Sequence, residues 1–174
     1  MKSAVFSTTN ESYHISNIAF AGPISSIPEE KRKGECTHSF RMVTSQGTVY
    51  CRYRSEETAK NARGALGAMM SHIKGHLFRS GYVSIDPSKV VSFGSVVSFK
   101  NRVNDKTHGF TVQLSSIHEK SAKVWLSYDS EEQAQTARKG LYASICRSSG
   151  ISKEESNSVS QVSPGMAVAA AQSL

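Results

Sequence analysis

The chain has 174 residues, a formal net charge of +7 at pH 7 and a pI near 9.4. Its length suits one domain or two small halves packed together, because a unit of about 70 residues buries only a modest core alone. Three cysteines, Cys36, Cys51 and Cys146, stand at no zinc-ligand or redox spacing, which argues against a disulfide scaffold and for reduced thiols. Residues 148–174 hold one lysine against two glutamates, so the positive charge belongs to the part before them and favours polyanionic partners.

In chain order, strands are expected at 4–8 and 13–20, then a turn at Gly22-Pro23 and a charged loop over 28–34. Alternation places Phe40 and Met42 inward and Arg41 outward. In 49–54, Val49, Cys51 and Tyr53 face inward, leaving Tyr50, Arg52 and Arg54 outside. Ser55 followed by Glu56 and Glu57 suits a helix N-terminus. Ala59, Ala62, Leu66, Met69 and Ile73 then recur at spacings of three and four, and Gly75 ends the helix.

Further strands are expected at 82–85, 90–102, 110–116 and 123–129. Val91, Phe93, Val97 and Phe99 are read as one inward face of the long run, with Ser98, Lys100 and Arg102 opposite. Phe110, Val112, Leu114, Val124, Leu126 and Tyr128 point inward; Thr111, Gln113 and Trp125 point out. Ser130 opens a second helix with Ala134, Ala137, Leu141 and Ile145 as its stripe, stopped at Gly150. Residues 151–174, rich in serine and alanine and without aromatics, read as a disordered tail.

Two stretches of this pattern are near copies. Residues 49–68 and 124–143 agree at ten of twenty positions, and T-H-x-F recurs at Thr37 and Thr107. The expected fold is therefore α+β: a tandem duplication of an antiparallel sheet with a C-terminal helix, ββββα-ββββα. One folded domain over 1–150 would consist of repeats 1–75 and 76–150.

The outward face carries the chemistry. Tyr50, Trp125, Arg41, Arg52, Lys100, Arg102 and Lys123 interleave rings with cations, as single-stranded nucleic acid requires: rings stack bases and cations follow phosphates. Lys31, Arg32 and Lys33 form a loop cluster suited to phosphate contact, set against the ordinary reading of a charge run as solvated. A further cluster, His72, Lys74, His76 and Arg79, lies between the copies. The competing reading of Tyr50 and Trp125 is a protein interface, in which exposed aromatics act as hot spots.

Catalysis finds no support. The histidines His72 and His76 are separated by the helix-ending Gly75, and the paired glutamates are explained by capping. No phosphate-cradling loop or nucleophile elbow appears. The expectation is a non-enzymatic chain without cofactor or metal. Residues 1–13 are polar and no apolar run approaches the roughly eighteen residues of a membrane span, so a soluble cytoplasmic protein is expected, without a membrane partner.

This layout, two copies of about four strands and a helix with a basic, aromatic-bearing sheet face, resembles the Whirly-type architecture. That architecture occurs in plant Whirly proteins, trypanosome mitochondrial guide-RNA-binding proteins and related phage nucleic-acid-binding proteins; the Pur-type repeat is a neighbouring layout. The resemblance covers about residues 4–150 and rests on architecture; the K-G-K-A-A-L signature of the plant proteins is absent. It implies sheets packed crosswise, helices that hold the core and mediate homo-oligomers, and single-stranded RNA or DNA along the sheets, with phage origin as one expectation. The alternative is a protein-interaction module, such as a phage-encoded inhibitor or an assembly factor.

Overall fold

The computed structural model describes residues 4–8, 11–103, 105–116 and 122–150, without the side chains of 100–103. The expected tail lies outside them, as do the side chains of Lys100 and Arg102. The fold is α+β, with antiparallel sheets and two helices. Strands β1 (Val5–Ser7), β2 (Ser12–His14), β3 (Ile18–Ser26), β4 (His38–Thr44) and β5 (Gly47–Tyr53) precede helix α1 (Glu56–Lys74). Strands β6 (Phe78–Ser80), β7 (Val83–Ile85), β8 (Val90–Phe93), β9 (Val97–Val103), β10 (Lys106–Leu114) and β11 (Ala122–Tyr128) precede α2 (Glu131–Ser148).

Four strands per helix were expected, and the difference has local causes. The run 13–20 is broken by a 3₁₀ turn at Ile15–Asn17, and 90–102 is broken between β8 and β9 around Gly94. Strand β6 had no sequence signal beyond Phe78. Gly22-Pro23, expected as a turn, lies inside β3, where the pairing with β4 shifts between Ala21 and Ile24. Proline has no N–H for a ladder, so a strand that contains it needs such an irregularity.

Both helices start as their sequences predict. Ser55 Oγ accepts from Thr58 N and Ser130 Oγ accepts from Gln133 N, each at 3.2 Å. Gly75 closes α1 with φ 65°, a conformation that favours glycine. The apolar stripe of α1 is rotated from the expected one: Ala59, Leu66 and Met70 are buried together with Arg63, whereas Ile73 is exposed.

One sheet runs β5-β4-β3-β7-β6, so strands that follow α1 complete a sheet begun before it. The second runs β11-β10-β8, with β9 also paired to β10, and β1-β2 form a separate ribbon. The first sheet is buried on both faces over much of its width. Ile18, Phe40, Met42 and Cys51 pack with Phe6 of β1 and with Leu66 and Met70 of α1. Ala19, Phe20, Val43 and Ile85 join Phe110, Val112, Leu114, Val124 and Leu126 of the second sheet and Leu141 of α2.

Several contacts occur once in each half. Phe40 stacks on Tyr53 at 5.7 Å between centroids and Phe110 on Tyr128 at 6.1 Å. Thr37 Oγ1 donates to Arg54 O at 2.7 Å and Thr107 Oγ1 to Asp129 O at 2.6 Å. Arg63 Nε donates to Gly22 O at 2.9 Å, and Arg138 Nε donates to Gly94 O at 2.8 Å.

Arg63 does much more than Arg138. Its Nη2 also donates to Ala21 O (2.9 Å), Tyr82 O (2.6 Å) and Ser84 Oγ (2.9 Å). The side chain is 6% exposed, and burial pulls the guanidinium down to about 10, still charged at neutral pH. It thereby joins α1 to the irregular stretch of β3 and to the β6–β7 hairpin. A buried pair reinforces the same seam: Lys74, at the end of α1, donates to the Asp86 carboxylate and, at 3.2 Å, to Ser16 O.

Arg63→Ala is expected to cost roughly 3–5 kcal/mol, since it strands buried acceptors, and Arg138→Ala, with one such bond in a half-buried place, about 1–2 kcal/mol. Urea unfolding of the two variants measures the difference. Burial also pushes the Cys51 thiol up to about 12, so at pH 8 its thiolate fraction is on the order of one in ten thousand. Cys146 is buried and Cys36 half-buried. A maleimide is therefore expected to label Cys36 alone in the native protein and all three thiols after unfolding, as counted by mass spectrometry.

Candidate functional site

The alternation of β5 and β11 puts Tyr50 and Trp125 outward, 60% and 52% exposed, against buried Cys51 and Leu126 beside them. Around these rings the two sheets bring side chains from both halves together. Arg41 lies directly across the β4–β5 ladder from Tyr50, which sets their Cβ atoms about 5 Å apart. Its Nη1 donates to the carbonyl of Lys123 on β11 at 3.3 Å and its Nη2 to Thr48 Oγ1 at 3.4 Å. The ammonium of Lys123 stands 6.0 Å from the Trp125 ring centroid, within range of a cation–π contact. Trp125 also meets the Phe99 ring in an edge-to-face arrangement, 5.7 Å between centroids.

The result is a band from Phe99 through Trp125, Lys123 and Arg41 to Tyr50. Arg52, two residues from Tyr50 on the same face, donates from Nη1 to Lys31 O at 3.4 Å and ties the band to the 28–34 loop. Among the described residues, Arg41, Arg52 and Lys123 enter no ion pair.

Not every expected residue fares alike. Arg41 is half-buried and spends both Nη groups on backbone or hydroxyl acceptors; its Nε is buried without a hydrogen-bond partner. The face it shares is covered where Phe20 and Val43 meet the second half, so the open part of the first sheet is the β5 side. Lys31, Arg32 and Lys33 are exposed, but Glu29 and Glu30 stand beside them in the same loop, while Glu35 pairs with Arg54 at 3.2 Å. Arg32 Nε donates to Ile27 O at 3.2 Å, a local brace. In the connecting cluster Lys74 is buried against Asp86, and Arg79, which is exposed, donates from Nη2 to Gly67 O at 2.8 Å.

Phe99 is a correction. Alternation alone places it inward with Phe93, but the interruption at Gly94 reverses the phase: Phe93 packs against the core and Phe99 lies on the Trp125 side. Val97, on the same side, is 43% exposed; Val91, expected inward and lying before Gly94, is 61% exposed because the β8–β10 register shifts between Gln113 and Leu114 and skips it. The legible signal was the glycine within the strand pattern. Gly109 makes room for the ring: a Cβ there would sit 2.7 Å from Phe99 Cζ and 2.4 Å from Leu126 O.

Trp125 also borders a cleft of about 880 Å³ lined by consecutive residues of the β6–β7 hairpin, by β11 and by α2, including Phe78, Tyr82, Tyr128 and Gln133. Its cations are less free than those of the band, since Lys106 pairs with Asp129 at 2.8 Å. Among the described residues no group of three or more His, Cys, Asp or Glu side chains could hold a metal ion, and no helix is long and apolar enough to cross a membrane. The chain matches no protein-family model, no curated protein and no solved structure.

Gly109→Ala is expected to destabilise the protein by about 1–3 kcal/mol through overpacking and to change Trp125 emission by displacing Phe99. Denaturation followed by both fluorescence and circular dichroism tests this, and wild-type stability with unchanged emission would contradict it.

Proposed function

We propose that the chain is a non-enzymatic binder of single-stranded RNA or DNA with little sequence preference. The observation that carries the reading is the band: three rings, Phe99, Trp125 and Tyr50, with Lys123 and Arg41 between them and Arg52 beside them, none of these cations paired to a carboxylate. Stacking of a base on an aromatic side chain contributes about 1–3 kcal/mol and tolerates every base, because each has a π-face. The unpaired cations supply the phosphate attraction. Because Arg41 and Arg52 are half-buried and each donates to a backbone carbonyl, Lys123 is the most open phosphate ligand and the two arginines position the surface beside it.

The finer reading of the fold is a tandem duplication of Whirly type. It is supported by the ten shared positions in 49–68 and 124–143 and by the paired Phe–Tyr stacks, Thr hydroxyl bonds and Arg–Gly bonds. On this reading the scaffold was copied and the outer face diverged, so that two unlike halves compose one surface.

A second reading is a protein-interaction module, favoured by the cleft beside β11. Strand β11 is the last strand of its sheet, β6 is the last of the other, and both line the cleft. An extended peptide could add to either edge.

Anisotropy of a labelled single-stranded oligonucleotide separates the two. Binding should weaken with salt, because each neutralised phosphate releases a counterion. Trp125→Ala and Tyr50→Ala should each weaken it about fivefold to a hundredfold, and Lys123→Ala should lower the salt slope by about 0.7. Binding that is absent, salt-independent, or as tight to duplex as to single strand would overturn the reading.

A further inference from the structure

A second pocket, of about 410 Å³, lies between α1 and the β6–β7 hairpin; it shares Arg79, Gly81 and Tyr82 with the cleft beside Trp125, but none of the band's residues lines it. Its walls hold the cations Lys60, Arg63 and Arg79 together with Ser84 and Tyr82, and no carboxylate lines it. The space exists because α1 carries Gly64 and Gly67 one turn apart. A Cβ on Gly67 would meet Arg63 Nη1 at 3.0 Å and Arg79 Nη2 at 4.0 Å, so both guanidiniums converge on this glycine. A Cβ on Gly64 would meet nothing within 4 Å. In the sequence copy 75 residues on, these positions hold Lys139 and Tyr142, and Gln135 replaces Lys60.

The arrangement is electrostatically incomplete. Arg63 is buried, and its bonds run from Nε and Nη2 to carbonyls and a hydroxyl, none of which carries a charge. Arg79 bonds Gly67 O and Ser71 Oγ through Nη2. Lys60 pairs with Glu56, but both are more than half exposed, and such a pair holds its partners weakly. Arg63, buried with no counter-ion, and Arg79, exposed at the rim and also without one, face an opening together and favour a bound anion. Guanidinium forks match the oxygens of phosphate in particular.

We infer that the pocket formed by Gly64, Gly67, Arg63, Arg79 and Lys60 is an oxyanion site that takes a phosphate group, with Nη1 of Arg63, Arg79, the Lys60 ammonium and the Ser84 and Tyr82 hydroxyls as donors. The phosphate is free inorganic phosphate or the terminal phosphate of a nucleic-acid strand; the chemistry of the site is common to both. The inference does not depend on the aromatic band.

Thermal unfolding of the full chain tests it, with sodium phosphate compared with sodium chloride at equal ionic strength. A ligand that binds only the folded state raises the midpoint progressively with its concentration. Phosphate is expected to do so well beyond chloride. Gly64→Glu, which places a carboxylate into open space beside the guanidiniums, should fold and abolish the phosphate response; Gly64→Ala should keep it. A phosphate effect no larger than that of chloride, or an undiminished response in Gly64→Glu, would overturn the inference. Oligonucleotides ending in phosphate or hydroxyl then name the source. Tighter binding of the phosphorylated end, lost in Gly64→Glu, assigns the site to a strand terminus, and equal binding assigns it to free phosphate. Because the first readout uses phosphate alone, its failure would leave the band untouched, and loss of oligonucleotide binding in Trp125→Ala would leave the pocket untouched.

Discussion

A guanidinium buried without a carboxylate is the constraint on which this structure depends. Desolvating a charge costs several kcal/mol, and Arg63 is tolerable only because three carbonyls and a hydroxyl are aimed at it. Two of those carbonyls, Ala21 and Gly22, belong to a stretch of β3 where Pro23 and the shifted register interrupt the ladder. The others come from the β6–β7 hairpin. The irregularity in β3 and the buried cation explain each other: the disturbed ladder leaves acceptors, and the cation uses them. Lys74 and Asp86 close the far end of the same seam.

The hairpin held there belongs to the part of the chain after α1, yet it completes the sheet begun before α1. The core of the second half is completed by Ala19, Phe20 and Val43 of the first, which pack with Phe110 and Leu126, while the first keeps a further cluster of its own around Phe40, Met42 and Leu66. Across the same interlock Arg41 of β4 reaches the Lys123 carbonyl on β11. The chain of contacts from Tyr50 through Arg41 and Lys123 to Trp125 passes through that bond.

Much of this was legible in the residues. Period-two alternation identified Phe40, Met42, Cys51, Phe110, Val112, Val124 and Leu126 as core and Tyr50 and Trp125 as exposed, because each lies in a regular ladder whose one face is buried. Ser55 and Ser130 marked both helix starts through a local bond that needs no tertiary context. The errors fall where local rules stop. Phe99 was misplaced because the break at Gly94 reverses the phase of everything after it. The stripe of α1 was misjudged because Arg63, a residue ordinarily outside, is buried by acceptors distant in sequence. Nothing local in Phe78–Ser80 announces a strand that forms only by pairing with β7 at a sheet's end. Nor could spacing reveal that Arg41 would be half spent on a neighbouring strand.

Photocrosslinking addresses the central claim, that the two halves form one single-strand-binding surface. A uniformly substituted photoreactive oligonucleotide bound to the full chain is irradiated, and the adducts are mapped by peptide mass spectrometry. The account predicts adducts on both 47–53 and 122–128, at Tyr50 and Trp125, from the same bound strand. Adducts confined to one of these segments, or falling instead in the cleft around Tyr82 and Gln133, would contradict it.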